Sequence, residues 1–174
     1  AITTSNDAIT LGAITGANDL SLTSGNGTIT LANIGTNAVD VGNLSLSTSV
    51  AVSAAGNWYL GNISGDEAIT TTGALTIDAG SVDFANIVMG GNLSITSSST
   101  IDAGTITGKD KNLTLASGTN NVNLGALGAN NNALGTVSIT STGTVTTDAS
   151  NWYVGNLTLT DGQNTSLNNT QALT

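Results

Sequence analysis

Along almost the whole chain a turn-type or small residue is followed by an apolar residue, a hydroxyl residue and a second apolar residue. The copies are Asp19-Leu20-Ser21-Leu22, Asn43-Leu44-Ser45-Leu46, Ala74-Leu75-Thr76-Ile77, Asn92-Leu93-Ser94-Ile95, Asn112-Leu113-Thr114-Leu115, Thr136-Val137-Ser138-Ile139 and Asn156-Leu157-Thr158-Leu159. Apolar residues two apart have the period of a strand, whereas a helix face needs spacings of three and four. From one copy to the next the first apolar position advances by roughly one rung of a solenoid, and the interval from Leu44 to Leu75 is the longest. Recurrence of this kind marks a solenoid, whose units are each too small to bury a face without their neighbours. The pattern predicts an all-β chain, a single-stranded parallel β-helix (β-solenoid) continuous over residues 1–174, with rungs of about 18–24 residues. Short strands punctuated by Gly or Asn make each rung, and each strand pairs with its equivalent roughly 4.8 Å along the axis. Asn43, Asn92, Asn112 and Asn156 are the repeated corner positions, expected to stack as an amide ladder.

A longer repeat underlies the short one. Leu20, Leu31, Ile34, Gly35, Val41 and Leu44 find counterparts at one constant offset in Leu113, Leu124, Leu127, Gly128, Leu134 and Val137. The segment from Val52 to Ile63 matches that from Thr146 to Leu157 at an offset one greater, and Ile14-Thr15-Gly16 matches Ile106-Thr107-Gly108 at an offset one smaller. Residues 9–62 thus correspond to 101–156, a super-repeat of roughly five rungs. Both Ala1-Ile2-Thr3-Thr4 and Gln171-Ala172-Leu173-Thr174 read as strand, where a monomeric solenoid carries polar caps. The expectation is either an excerpt of a longer chain or ends that stack on one another, and both give a fibre. The least regular stretch, between Asn62 and Gly73, reads as a short rung or a protruding loop. Lys109-Asp110-Lys111 reads as a solvated corner.

Composition narrows the picture. With 39% hydrophobic and 3% aromatic residues the interior must be thin and built from small side chains, and the absence of Pro suits segments that nearly all donate to a ladder. Eleven acids against two bases give a net charge of −9, which excludes the basic footprint of nucleic-acid binding and disfavours anionic lipid. No run has the length of a membrane span, and no export signal is read in this stretch. Cys is absent, so there is neither a disulfide framework nor a thiolate ligand. Such a composition points to a secreted bacterial structural protein rather than a cytosolic enzyme.

Candidate chemistry is sparse. His, Cys and Arg are all missing, which removes the usual general base, the thiol nucleophile and the guanidinium. Asp78, Asp83 and Asp102 would approach one another if rungs stack in register, and a carboxylate pair is the minimum for glycoside hydrolysis. Solvated corners are the preferred reading, and no enzymatic activity and no cofactor are expected. The Ca²⁺-binding nonapeptide and EF-hand patterns are absent, leaving Asp66 and Glu67 as weak Ca²⁺ candidates. Trp58-Tyr59 and Trp152-Tyr153 occupy equivalent positions, either as stacking platforms for sugar rings or with each Trp filling the interior and each Tyr outside. Hydroxyl pairs at Thr28/Thr30, Ser94/Thr96, Thr105/Thr107, Thr144/Thr146 and Thr158/Thr160 resemble the ice-binding face of some solenoid antifreeze proteins, although β-propensity alone favours Thr at outward positions. Sequons at Asn43, Asn62, Asn92, Asn112 and Asn156 fit the glycosylation acceptor pattern and are also what the rung motif produces unaided.

Rungs built as Asn-Leu-Ser-Ile-x-Ser followed by a turn and a further strand, without Cys or Pro, resemble the filamentous-haemagglutinin-type repeats of bacterial two-partner-secretion exoproteins and the β-helical stalks of autotransporters. The resemblance is one of pattern and composition over nearly the whole chain. It implies a right-handed parallel β-helix, exported to the cell surface and used as a shaft for adhesion or biofilm-matrix building. The expected partner is the chain itself, head to tail in a filament or as part of a longer repeat, with host or matrix polysaccharide as a further candidate. A carbohydrate- or ice-binding module is the alternative function.

Overall fold

A computed structural model describes residues 1–48, 52–148, 151–161 and 164–166. The strands are β1 (Ile2–Thr3), β2 (Ile9–Leu11), β3 (Leu20–Thr23), β4 (Ile29–Leu31), β5 (Val41–Ser47), β6 (Val52–Met89) and β7 (Leu93–Ser97). They continue as β8 (Ile101–Thr107), β9 (Leu113–Gly118), β10 (Val122–Leu124), β11 (Leu134–Ser141), β12 (Thr144–Thr147), β13 (Val154–Asp161) and β14 (Asn164–Ser166). The strand pairings are parallel, and the chain winds as a β-solenoid of about 8 turns.

Register resolves each turn into three faces. On the first, Leu20, Leu44 and Ile63 stack, and so do Val82, Ile101, Val122 and Val145. Ser81 Oγ donates to Asn62 Oδ1 at 2.8 Å and joins the two series. On the second face Ile9, Ile29 and Val52 stack. The third carries Leu75, Leu93, Leu113, Val137 and Leu157. Aliphatic residues two apart point inward and the residues between them point out, so all three faces contribute to a single core.

Rung length varies with what the corners carry. Leu46 pairs with Gly65 and Phe84 with Ala103, in a part of the shaft where the side-chain bonds Asn62–Asn43 and Ser81–Asn62 each span 19 residues. Leu22 pairs with Leu46 beside the Asn43–Asp19 bond, which spans 24 residues. Leu124 pairs with Thr147 beside the Thr146–Asn123 bond, which spans 23 residues. The extra length contains two four-residue hairpins, closed by the antiparallel bridges Thr36–Val39 and Ala129–Asn132. Where no loop intervenes the ladder does not break: β6 runs for 38 residues, two full rungs, round every corner.

This geometry corrects two sequence-based expectations. The motif copies do not form one stack, since Leu20 and Leu44 lie on the first face and the other five on the third. The long interval from Leu44 to Leu75 is one rung to Ile63 plus the path round to the third face, and the stretch from Asn62 to Gly73 is continuous strand rather than a short rung or loop. The super-repeat of residues 9–62 and 101–156 can be placed on the same faces. Leu31 is on the second face and its counterpart Leu124 on the first, while Leu44 is on the first and Val137 on the third. Equivalent segments are therefore four and two-thirds turns apart, offset by one face.

The core is aliphatic, with Trp58, Trp152 and Phe84 its largest fully buried side chains. Polar groups enter it at the strand ends. Ser24, Thr48, Thr71, Ser97, Ser117 and Ser141 are buried, each two residues beyond an inward aliphatic. Their hydroxyls bond to the backbone that turns the corner: Thr48 donates to Gly27 O at 2.8 Å, Ser97 to Gly80 O at 2.9 Å, and Ser117 and Ser141 both to Asn120 O at 2.7 and 2.6 Å. A buried carbonyl without such a donor would cost about 1–3 kcal/mol. Thr147 Oγ1 is the exception among the described residues, buried and unpartnered.

Ile95 is 0% exposed in mid-shaft and the adjacent Thr96 points outward. Ile95→Ala is expected to destabilise the fold by about 2–4 kcal/mol, and Thr96→Ala to change it by less than about 0.5 kcal/mol. Urea denaturation followed by circular dichroism checks both.

Candidate functional site

The two Trp-Tyr pairs are the most distinctive chemistry of the chain. Trp58 is 0% and Trp152 1% exposed, each indole inside the solenoid with its Nε1 donating to a backbone carbonyl, Ala32 O at 2.6 Å and Gly125 O at 2.9 Å. Leu60 and Val154, two residues on, are buried beside them, and Tyr59 and Tyr153 are half-buried on the outside. The Trp rings are thus packing residues, and only the Tyr rings are available to a ligand.

Each Tyr sits over the neck of one of the two hairpins. Ile34 pairs with Trp58 and Val41 with Leu60, so six residues of the lower rung face a single residue, Tyr59, in the upper. The same count holds between Leu127–Trp152 and Leu134–Val154, with Tyr153 in the middle. Six residues against one can be accommodated only if the longer path leaves the surface. Gly35 and Gly128 open the excursions at φ 68° in both copies, and a Cβ on either would stand 2.3 or 2.2 Å from the carbonyl oxygen of the overlying Tyr. Glycine is required there both for the left-handed turn and for the close approach.

The acids divide. Asp83 and Asp102 pair directly on the first face, whereas Asp78 pairs with Thr96 on the third and does not join them. Above them Asn123 Nδ2 donates to Asp102 Oδ1 at 2.7 Å, and the Thr146 hydroxyl donates to Asn123 Oδ1. This outward ladder lines a shallow trough of about 440 Å³ floored by Ala85, Gly104 and Gly125, with Asp148 at its end. No group of three or more acidic, His or Cys side chains disposed to hold a metal occurs among the described residues. Asp66 and Glu67 lie in β6, but their side chains, like residues 171–174, fall outside what the structure describes.

The Asn corners form two columns rather than one. Asn43 N donates to Asp19 Oδ1 at 2.7 Å and Asn62 Nδ2 to Asn43 Oδ1 at 2.7 Å, an amide-to-amide bond that Ser81 extends. On the third face the oxygens act differently: Asn92 Oδ1 accepts from Asn112 N at 3.0 Å and Asn112 Oδ1 from Thr136 N at 2.9 Å. Asn156 pairs with Thr136 in the same column. The hydroxyl pairs are also dispersed. Ser94/Thr96 and Thr158/Thr160 are on the third face, while Thr144/Thr146 are on the first and Thr28/Thr30 flank Ile29 on the second, as Thr105/Thr107 flank Ile106. The third face does carry one hydroxyl rank, Thr76, Ser94, Thr114, Ser138 and Thr158, but Asp78 and Ala116 interrupt the rank beside it.

Comparison with family models, curated proteins and solved structures finds no match. The fold is therefore characterised by its own geometry, a β-solenoid compatible with β-helix repeat proteins.

Sequence reasoning missed the hairpins and the buried corner hydroxyls. Both left a trace: the loops are where the repeat gains residues between Ile34 and Val41 and between Leu127 and Leu134, and the hydroxyls continue the inward alternation past the last aliphatic.

Asn112→Ala removes the acceptor of the Thr136 N–H, with an expected loss of about 0.5–1.5 kcal/mol and faster hydrogen exchange at the Thr136 amide. Asn112→Asp retains an acceptor oxygen and should preserve that protection, as residue-resolved exchange by NMR would show.

Proposed function

We propose that the chain is a shaft segment of an extracellular fibre, an adhesin stalk or biofilm-matrix filament of the filamentous-haemagglutinin or autotransporter type on a bacterial surface. The observation that supports this reading is the uninterrupted parallel ladder, a β-solenoid of about 8 turns wound round a single aliphatic core. At one end Ile2 is 39% exposed, and Leu11, Ile14 and Leu20 are only partly buried, although Leu44 and Ile63, stacked above Leu20, are each 1% exposed. At the other end Leu157 and Leu159 are partly buried, while Val137 and Ile139 beneath them are 0% and 1% exposed. Aliphatics of the first and last described turns are thus less buried than their equivalents in the middle of the solenoid.

A further rung of the same kind, from the continuing chain or from a second copy, would bury those side chains and pair the unpaired edge strands. Such a contact is heterologous and does not close on itself, so it propagates as a filament. The net charge of −9 works in the same direction, because like-charged flanks repel one another and disfavour side-by-side association. Stiffness follows from the ladder, since bending the shaft would stretch backbone hydrogen bonds on one face.

Negative-stain microscopy across a concentration series tests axial assembly. Eight turns span about 38 Å, and the expected outcome is rods of many times that length that become shorter with Ile2→Glu and Ile14→Glu. Discrete rods of single-chain length at every concentration would overturn self-assembly.

A further inference from the structure

We propose that each Tyr and the hairpin beneath it form a binding site for a neutral glycan, present twice: Tyr59 with Thr36–Val39, and Tyr153 with Ala129–Asn132. This inference stands on the local geometry and does not depend on the shaft reading.

Three observations converge on it. The arrangement is duplicated as a unit, since both copies keep the buried Trp, the half-exposed Tyr, the left-handed glycine and a hairpin of the same length. Neither hairpin is needed to close a rung, because the rungs of β6 close without one. The material placed there also has the chemistry of sugar recognition. Asn37 at one tip and Asn130 and Asn131 at the other are exposed, and their side-chain amides bond to no other described residue, so each offers both donors and an acceptor. Each Tyr, half-exposed and with its backbone above the glycine that opens its hairpin, supplies an aromatic face with a polar edge, on which the C–H face of a pyranose can lie.

Charge selects the class of glycan. The chain carries −9, and Asp40 adjoins the first hairpin, so an acidic polysaccharide would be repelled, whereas a neutral one meets only hydroxyl-compatible partners. The two sites are offset by one face and lie roughly 22 Å apart along the axis. They look out in different directions and cannot form a single platform, so each engages its own glycan chain, and the two sites together add avidity toward a surface that displays many such chains.

The test uses the intact chain and three neutral hexasaccharides, of β-1,4-glucose, β-1,4-mannose and α-1,4-glucose, with polygalacturonate as the acidic comparison. Ring signals of Tyr59 and Tyr153 and amide signals of both hairpins are followed by NMR at millimolar sugar. The expected result is that at least one neutral hexasaccharide shifts both sets. Tyr59→Leu, which keeps apolar cover over the neck, should abolish the shifts at residues 36–39 and leave those at 129–132, while Tyr59→Phe retains both. An unchanged backbone spectrum away from the loop shows that each variant is folded. The proposal is overturned if no neutral probe moves either ring, if the shifts survive Tyr59→Leu, or if polygalacturonate binds in preference.

Discussion

The parallel backbone ladder is the interaction on which everything else in this chain depends. Each turn must come back to a point about 4.8 Å above its start with its strands in register, and any residue that does not fit that circuit has to leave it sideways. The short rungs of β6 close the circuit without excess, which is why that strand continues through two turns unbroken. Surplus residues are expelled as a hairpin, and the Tyr-capped loops are the visible result. The ladder also explains the buried hydroxyls, since a corner carbonyl that leaves the ladder needs another donor, and that of Asn120 accepts from both Ser117 and Ser141.

Three similar faces make the interior tolerant of which sequence occupies which side. A motif such as Asn-Leu-Ser-Leu presents two inward aliphatics and outward hydroxyls, and serves the first face at Asn43 as well as the third at Asn112. The surface is less tolerant. Residues that are neighbours by super-repeat equivalence become strangers in space, so the two Tyr residues face different ways and the hydroxyl pairs scatter. Surface continuity has to be read from the register and not from the repeat.

Much of the fold was legible because one period controls it. Alternation within Leu93-Ser94-Ile95 showed strand and inward side together, and the recurrence of that triplet showed parallel stacking, which holds for the five copies on the third face. The placement of Trp inside and Tyr outside followed from the same parity. What the period could not reveal was the angular position of each copy, because the long interval from Leu44 to Leu75 is equally compatible with a protruding loop and with a change of face. Pairing of Asp83 with Asp102 was foreseeable from their separation by one rung, whereas the exclusion of Asp78 required the face assignment. The candidate site was legible only in part: Tyr59 and Tyr153 stood out by composition, but the hairpins beneath them are ordinary Asn-rich loops until the pairing places six residues opposite one.

The offset of one face between super-repeats also bears on how sequence similarity translates into position in a solenoid. If similar segments had to lie a whole number of turns apart, they would always share a face. The spacing between equivalent segments here is a whole number of faces instead, and the later segment fits one third of a turn round. The unit of fit is then the single face, and a segment with the right alternation finds a place in the interior at any of three angular positions.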